Sequence, residues 1–132
     1  MIVYLETSAA AKLMKREAES GAVRAYLQDL VDGEHLVVAG RIMETELRRL
    51  AVRQGMSQGL VAGVLDLVDV VEHDRDQFRE AGMIGDQHLR SLDALHLVTA
   101  LRVGADGMIT FDERLEQACA SVGLPVLAVP AT

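Results

Sequence analysis

The sequence predicts an α/β protein with a mostly parallel central sheet covered by helices on both faces, in three layers. Two observations carry this. Short, partly β-branched apolar runs alternate with helical stripes along the whole chain. Half of the 132 residues are hydrophobic, enough to bury a core without a disulfide or a structural metal. No internal repeat or low-complexity tether interrupts the pattern, and the two prolines, Pro125 and Pro130, both fall near the end. Residues 1–132 therefore read as a single domain.

The elements follow in order. Residues 2–5 (Ile-Val-Tyr-Leu) have the composition of a buried strand. Thr7 and Ser8 offer hydroxyls to cap a short helix running to Met14. Residues 19–31 carry a helical stripe of Ala22, Val23, Tyr26, Leu27, Leu30 and Val31, closed by Asp32-Gly33. Residues 36–39 read as a second strand. A helix follows from Arg41 to about Gly55, and another from Ser57 to Leu65. Residues 68–71 form a third strand. A polar helix spans 74–87, weakened by Gly82 and Gly85. Ser91 opens the most apolar helix, which ends at Gly104. Residues 107–111 are a strand, 112–122 a helix broken by Gly123, and 125–129 a last strand.

Composition removes several classes of function. Twenty acidic against thirteen basic residues leave a net charge of -7. That field argues against a duplex-DNA protein working by phosphate neutralisation. With 3% aromatic residues and no Trp, the composition argues against a base-stacking platform. The lone Cys119 excludes an internal disulfide and a cysteine zinc site. No apolar run approaches the roughly 18 residues of a membrane span. Residues 1–5 lack the features of a signal peptide. The expectation is a reduced, cytoplasmic protein with no membrane partner.

Most acids read as solvated surface, but four are placed differently. Glu6 ends the first strand and Asp112 follows the fourth, at the carboxyl edge where open parallel sheets bind ligands. Asp93 lies in the first turn of the most apolar helix. Glu46 shares a helix face with Ile42, Met43 and Leu50, whereas Glu44 points elsewhere. Each has a plain structural alternative. Asp112 and Asp93 suit a helix N-terminus, and Glu46 could pair with Arg49 or Arg53. If the four converge, two carboxylates about 5 Å apart repel by roughly 3 kcal/mol at an effective dielectric near 20. Such a pocket must gain protons or hold a cation. Oxygen-only ligands favour Mg²⁺ or Mn²⁺, ions that support displacement at phosphorus. A receiver-like or phosphatase-like domain is disfavoured, because there is no paired acid at the first strand, no Asp-x-Asp motif and no late Lys at a strand end.

These segments carry a family likeness. Met1-Ile-Val-Tyr-Leu-Glu6-Thr-Ser8-Ala, Thr45-Glu46-Leu-Arg-Arg, Ser91-Leu-Asp93-Ala-Leu-His-Leu and Ile109-Thr110-Phe-Asp112-Glu-Arg-Leu together resemble the PIN-domain ribonucleases. Within them they resemble the VapC-type toxins of bacterial type II toxin–antitoxin pairs, over essentially the whole chain. The resemblance implies a PIN-like α/β/α fold and an Mg²⁺- or Mn²⁺-dependent endoribonuclease. Its metal-binding, catalytic quartet would be Glu6, Glu46, Asp93 and Asp112. Ser8 and Thr110 stand where the family has hydroxyls that orient an acid or a metal-bound water. A cognate VapB-type antitoxin, a homodimer, and tRNA or rRNA as substrate are also implied.

The chain departs from the family twice. Position 6 is usually Asp; Glu reaches about 1.5 Å further. A displacement of that size can cost about 100-fold in rate, which leaves a second reading, a module that binds antitoxin or RNA without cleaving. Gly40 replaces a common Ser and reads as a minor change. Lys12, with Lys15 and Arg16 beside it, and Arg49, with Arg48 and Arg53, are candidates to grip RNA phosphates. The alternative for both groups is a solvated helix face with weak ion pairs. His96, three residues after Asp93 on the same helix face, could support the acids or carry a proton, but it reads first as a core or groove histidine, because an oxygen-ligand site does not need it.

Overall fold

The computed structural model describes residues 1–131. Four parallel strands form one sheet: β1 (Ile2–Leu5), β2 (Leu36–Gly40), β3 (Asp69–Val71) and β4 (Gly107–Ile109), in the order β3-β2-β1-β4. The helices are α1 (Thr7–Ala10), α2 (Ser20–Asp32), α3 (Ile42–Gln54), α4 (Gln58–Leu65), α5 (Arg75–Gly82), α6 (Ser91–Arg102) and α7 (Glu113–Ser121), with a 3-10 turn at Ala11–Leu13. The predicted three-layer α/β/α arrangement is the one found.

Alternation along β1 divides the core. Val3 and Leu5 face one layer, with Val23, Leu27, Met43, Leu47 and Val61 from α2, α3 and α4. Tyr4 faces the other, with Leu97, Ala100, Leu115 and Ala118 from α6 and α7. Seven consecutive residues of α6, Ala94 to Ala100, are buried, so this helix has almost no solvent face. Among the described residues no helix is long and apolar enough to cross a membrane.

Three local expectations are corrected. The hydroxyls of Thr7 and Ser8 do not cap α1. Glu6 does, its carboxylate accepting from Ser8 N–H at 3.1 Å. The polar helix at 74–87 ends at Gly82, and the chain from 83 to 90 turns instead. Residues 125–129 form no strand but a single parallel bridge, Met108 to Val126. Two backbone bonds hold it, Met108 N–H to Pro125 and Leu127 N–H to Met108. Pro125 has no N–H to give to a ladder, and Pro130 has none to extend one.

Strand order places the site. The chain runs from β1 outward through β2 and β3, then returns to the opposite side of β1 for β4. The order reverses between β1 and β4, and in open parallel sheets the ligand crevice lies at such a reversal, at the carboxyl ends of the two strands. Glu6 directly follows β1, and Asp112 lies three residues past the end of β4.

Candidate active site

Glu6 is the best-held acid of the four. It is 4% exposed. Its Oε1 accepts from the Ser8 hydroxyl at 2.5 Å and from the Thr110 hydroxyl at 2.6 Å, and its Oε2 accepts from Ser8 N–H. Those hydroxyls in turn accept backbone protons, Ser8 from Phe111 N–H at 2.8 Å and Thr110 from Asp112 N–H at 3.0 Å. Ser8 and Thr110 therefore do orient an acid, and they tie the end of β1 to the β4–α7 turn. The glutamate at position 6 is accommodated without a stranded oxygen.

Asp112 caps α7 through Oδ1, which accepts from Leu115 N–H at 3.0 Å. The cap occupies one carboxylate oxygen and fixes the side chain at the crevice. Glu46 pairs with neither Arg49 nor Arg53. Its Oε1 accepts from the Thr7 hydroxyl at 2.6 Å and from His96 Nε2 at 2.6 Å. Burial pushes the Glu46 carboxyl up, but the His96 and Thr7 bonds outweigh it and hold the group below its ordinary value.

Asp93 differs from the other three. Its Oδ2 is buried and has no hydrogen-bond partner. Burial raises its pKa, and the charges of Asp112, Glu6 and Glu46 push the same way. Asp93 thus feels the charges of the other three acids. The four do not form a ready cage: among the described residues no three His, Cys, Asp or Glu side chains are grouped so as to hold a metal ion. Protein donors satisfy both oxygens of Glu6 and one oxygen each of Glu46 and Asp112, and among the described residues only Asp93 carries a buried oxygen without a partner. The donor set still suits a hard cation, being all oxygen with one buried oxygen lacking a partner.

The sequence reading missed Tyr4 and gave His96 a supporting role only as its second choice. His96 is fully buried, as a core histidine would be, yet it bonds a candidate acid. Its other nitrogen, Nδ1, lies 2.7 Å from the Tyr4 hydroxyl. A tyrosine in the middle of a buried strand was the available signal, because its hydroxyl needs a partner inside the protein. Gly40 is not a minor change either. A Cβ there would lie 2.7 Å from the Tyr4 oxygen and 2.4 Å from His73 Cε1.

The two basic candidates diverge. Arg49 is exposed and lines a cleft of about 270 Å³ with Ile42, Thr45, Glu46, Arg53 and Leu92. Lys12 is bound to Glu17 at 2.7 Å and Glu19 at 3.2 Å, and stands over the Phe111 ring. Glu44, set aside on helical spacing, pairs with Arg41 and Arg48 at the surface. A larger groove of about 370 Å³ between α5 and α6 contains none of the four acids.

Comparison with known proteins agrees with this geometry. The PIN domain family model matches residues 3–120. Ribonuclease VapC46 of Mycobacterium tuberculosis (strain ATCC 25618 / H37Rv) is 34% identical over 129 residues, covering 96% of each chain. Among solved structures, Mycobacterium tuberculosis VapC20, described as a Sarcin-Ricin loop cleaving toxin, superposes with a TM-score of 0.71 at 18% identity. That match covers 88% of this chain and 94% of the other. A chain of a toxin-antitoxin complex from Klebsiella pneumoniae superposes with a TM-score of 0.69 at 16% identity, covering 98% and 99%. With a matching fold and similarity over nearly the whole length, the chain belongs to the PIN-domain family, among the VapC ribonucleases.

Proposed function

We propose that this chain is the toxin of a type II toxin–antitoxin pair, a divalent-metal-dependent endoribonuclease acting in the cytoplasm on tRNA or rRNA. Glu6, Glu46, Asp93 and Asp112 would hold Mg²⁺ or Mn²⁺. The observation that carries the metal reading is the buried, partnerless Oδ2 of Asp93, in range of three other carboxylates. Inside a protein such an oxygen needs a proton or a cation.

When bound, the ion supplies charge neutralisation at phosphate and a more acidic water. The chain's own residues do the rest. Ser8 and Thr110 hold the Glu6 carboxylate in one orientation. Thr7 and His96 do the same for Glu46. The α7 N-terminus anchors Asp112. Arg49, on the rim beside Glu46, is placed to receive a neighbouring RNA phosphate. A VapB-type antitoxin partner is supported by the fold shared with a chain of a toxin-antitoxin complex, and a homodimer belongs to the same proposal.

The test is incubation of purified protein with total RNA, with and without Mn²⁺, and mapping of the cut ends. Discrete ends that require the ion support the reading. Intact RNA at every Mg²⁺ and Mn²⁺ concentration, from a protein that is folded by circular dichroism, would overturn it.

A further inference from the structure

We propose that Tyr4 and His96 form a buried relay that fixes the carboxylate of Glu46, and that Gly40 leaves the space in which the relay forms. The metal role of Glu46 rests on the function proposed above; the relay itself rests on proton counting.

The Tyr4 hydroxyl accepts from Gly40 N–H at 3.1 Å. It has one proton to give, and His96 Nδ1, at 2.7 Å, is there to take it. Nδ1 must then be the unprotonated nitrogen, and the imidazole proton sits on Nε2. Nε2 lies 2.6 Å from Glu46 Oε1 and 3.2 Å from the Thr7 oxygen, whose own proton goes to that same Glu46 oxygen. A doubly protonated ring would leave the Tyr4 proton without an acceptor. The chain of donors therefore runs one way, from the β2 backbone through Tyr4 and His96 to Glu46.

Every part of this chain is held. Tyr4 lies mid-strand in β1, and Tyr4 and His96 are both fully buried. Their rings meet edge-on at 5.7 Å. A side chain at position 40 would occupy the place of the Tyr4 hydroxyl, because its Cβ would stand 2.7 Å from that oxygen. The backbone N–H that starts the relay and the missing Cβ that admits it belong to one residue. Tyr4 and His96 touch no substrate. They are positioning residues, acting through Glu46.

The test has a metal-free arm and a metal-binding arm. In protein labelled with ¹⁵N-histidine, His96 should show a protonated Nε2 and a bare Nδ1 at neutral pH, with the Nδ1 signal moved by Tyr4→Phe. A protonated Nδ1 overturns the relay whatever the protein binds. In the second arm, Mn²⁺ affinity is measured by electron paramagnetic resonance. Tyr4→Phe should weaken it about 10-fold, the usual scale for losing a partner of a metal ligand. In a Glu46→Gln background the same change should have almost no effect, because the carboxylate it positions is gone. An equal loss in both backgrounds means Tyr4 supports only the fold, and overturns the proposal. His96→Gln, which keeps an N–H near Glu46, should retain most of the binding that His96→Leu loses; equal loss in both counts against the relay. If the tautomer is as assigned but wild-type protein binds no Mn²⁺ and cuts no RNA, the metal-nuclease reading fails and the relay stands.

Discussion

The hydroxyls of Ser8 and Thr110, 102 positions apart in the chain, stand 3.3 Å from each other and give their protons to the same oxygen of Glu6. One carboxylate thereby joins the ends of two strands. Replacing Thr110 with Val keeps the shape and removes a donor from a buried charge, while Asp112 N–H also loses its acceptor. The expected cost is about 1–3 kcal/mol. Ser8→Ala should cost a similar amount, and the double variant less than the sum because both act on one oxygen. Urea denaturation of the three variants checks this; strict additivity would show that the two hydroxyls act separately.

Asp93 should show a conflict between stability and activity. Burial and the charges of Asp112 and Glu6 raise its pKa, so ionising this carboxyl opposes folding. Asp93→Asn removes that charge at nearly constant shape. The metal-free variant should melt at least as high as the parent, while Mn²⁺-dependent RNA cleavage falls by about 100-fold or more. Added Mn²⁺ should raise the Tm of the parent only, by the equivalent of about 2.7 kcal/mol at 100 times the Kd. Thermal scans with and without the ion decide this. Loss of folding in the variant, or unchanged cleavage, contradicts it.

His73 should make stability fall with acid. Its Nε2 accepts from Ile42 N–H at 3.0 Å, and its Nδ1 faces the Thr99 hydroxyl at 2.9 Å. Burial lowers its pKa against the raising effects of Gln77 and Glu72. The unfolded chain therefore takes up a proton at a higher pH than the folded one. The contribution of neutral His73 is complete above the ordinary value of about 6.5 and is lost as pH falls through and below it. Tm measured from about pH 7.5 to about pH 5.5 should fall more steeply for the parent than for His73→Gln, by a few degrees, on the order of 1 kcal/mol.

Arg49 and Lys12 should separate in RNA binding. Arg49→Ala should raise KM for RNA about 10-fold and reduce the salt slope by about 0.7, the value for one contact to a single strand. Lys12→Ala should change KM less than about twofold, because its ammonium already sits between two carboxylates. Steady-state cleavage at several salt concentrations tests the pair. A larger effect from Lys12 would place the RNA on the other side of the crevice.

Much of the molecule was legible before any coordinates. The period of the apolar residues marked β1, β2, β3 and all the main helices, and the turn chemistry of Ser57, Asp74 and Asp112 marked helix starts that the structure bears out. Length of run misled at the end: residues 125–129 have the composition of a strand, but prolines at 125 and 130 leave only a bridge. Capping preference misled at Thr7 and Ser8. It ranks hydroxyls by their local use, and here both are drawn to carboxylates, that of Thr7 to an acid 39 positions away.

What the sequence determined by itself was the alternation of elements, and with it a parallel sheet whose carboxyl edge bears Glu6 and Asp112. That follows from periodicity, a local property of the chain. The tertiary structure alone decided that the strand order reverses beside β1, that Asp93 feels the charges of those two acids and of Glu46, and that Asp93 is the one left with a bare buried oxygen. It also turned Tyr4, Gly40 and His96 from core residues into a single line of hydrogen bonds. Such pairings depend on which distant donors meet which acceptors when the layers close, and no spacing along the chain encodes them.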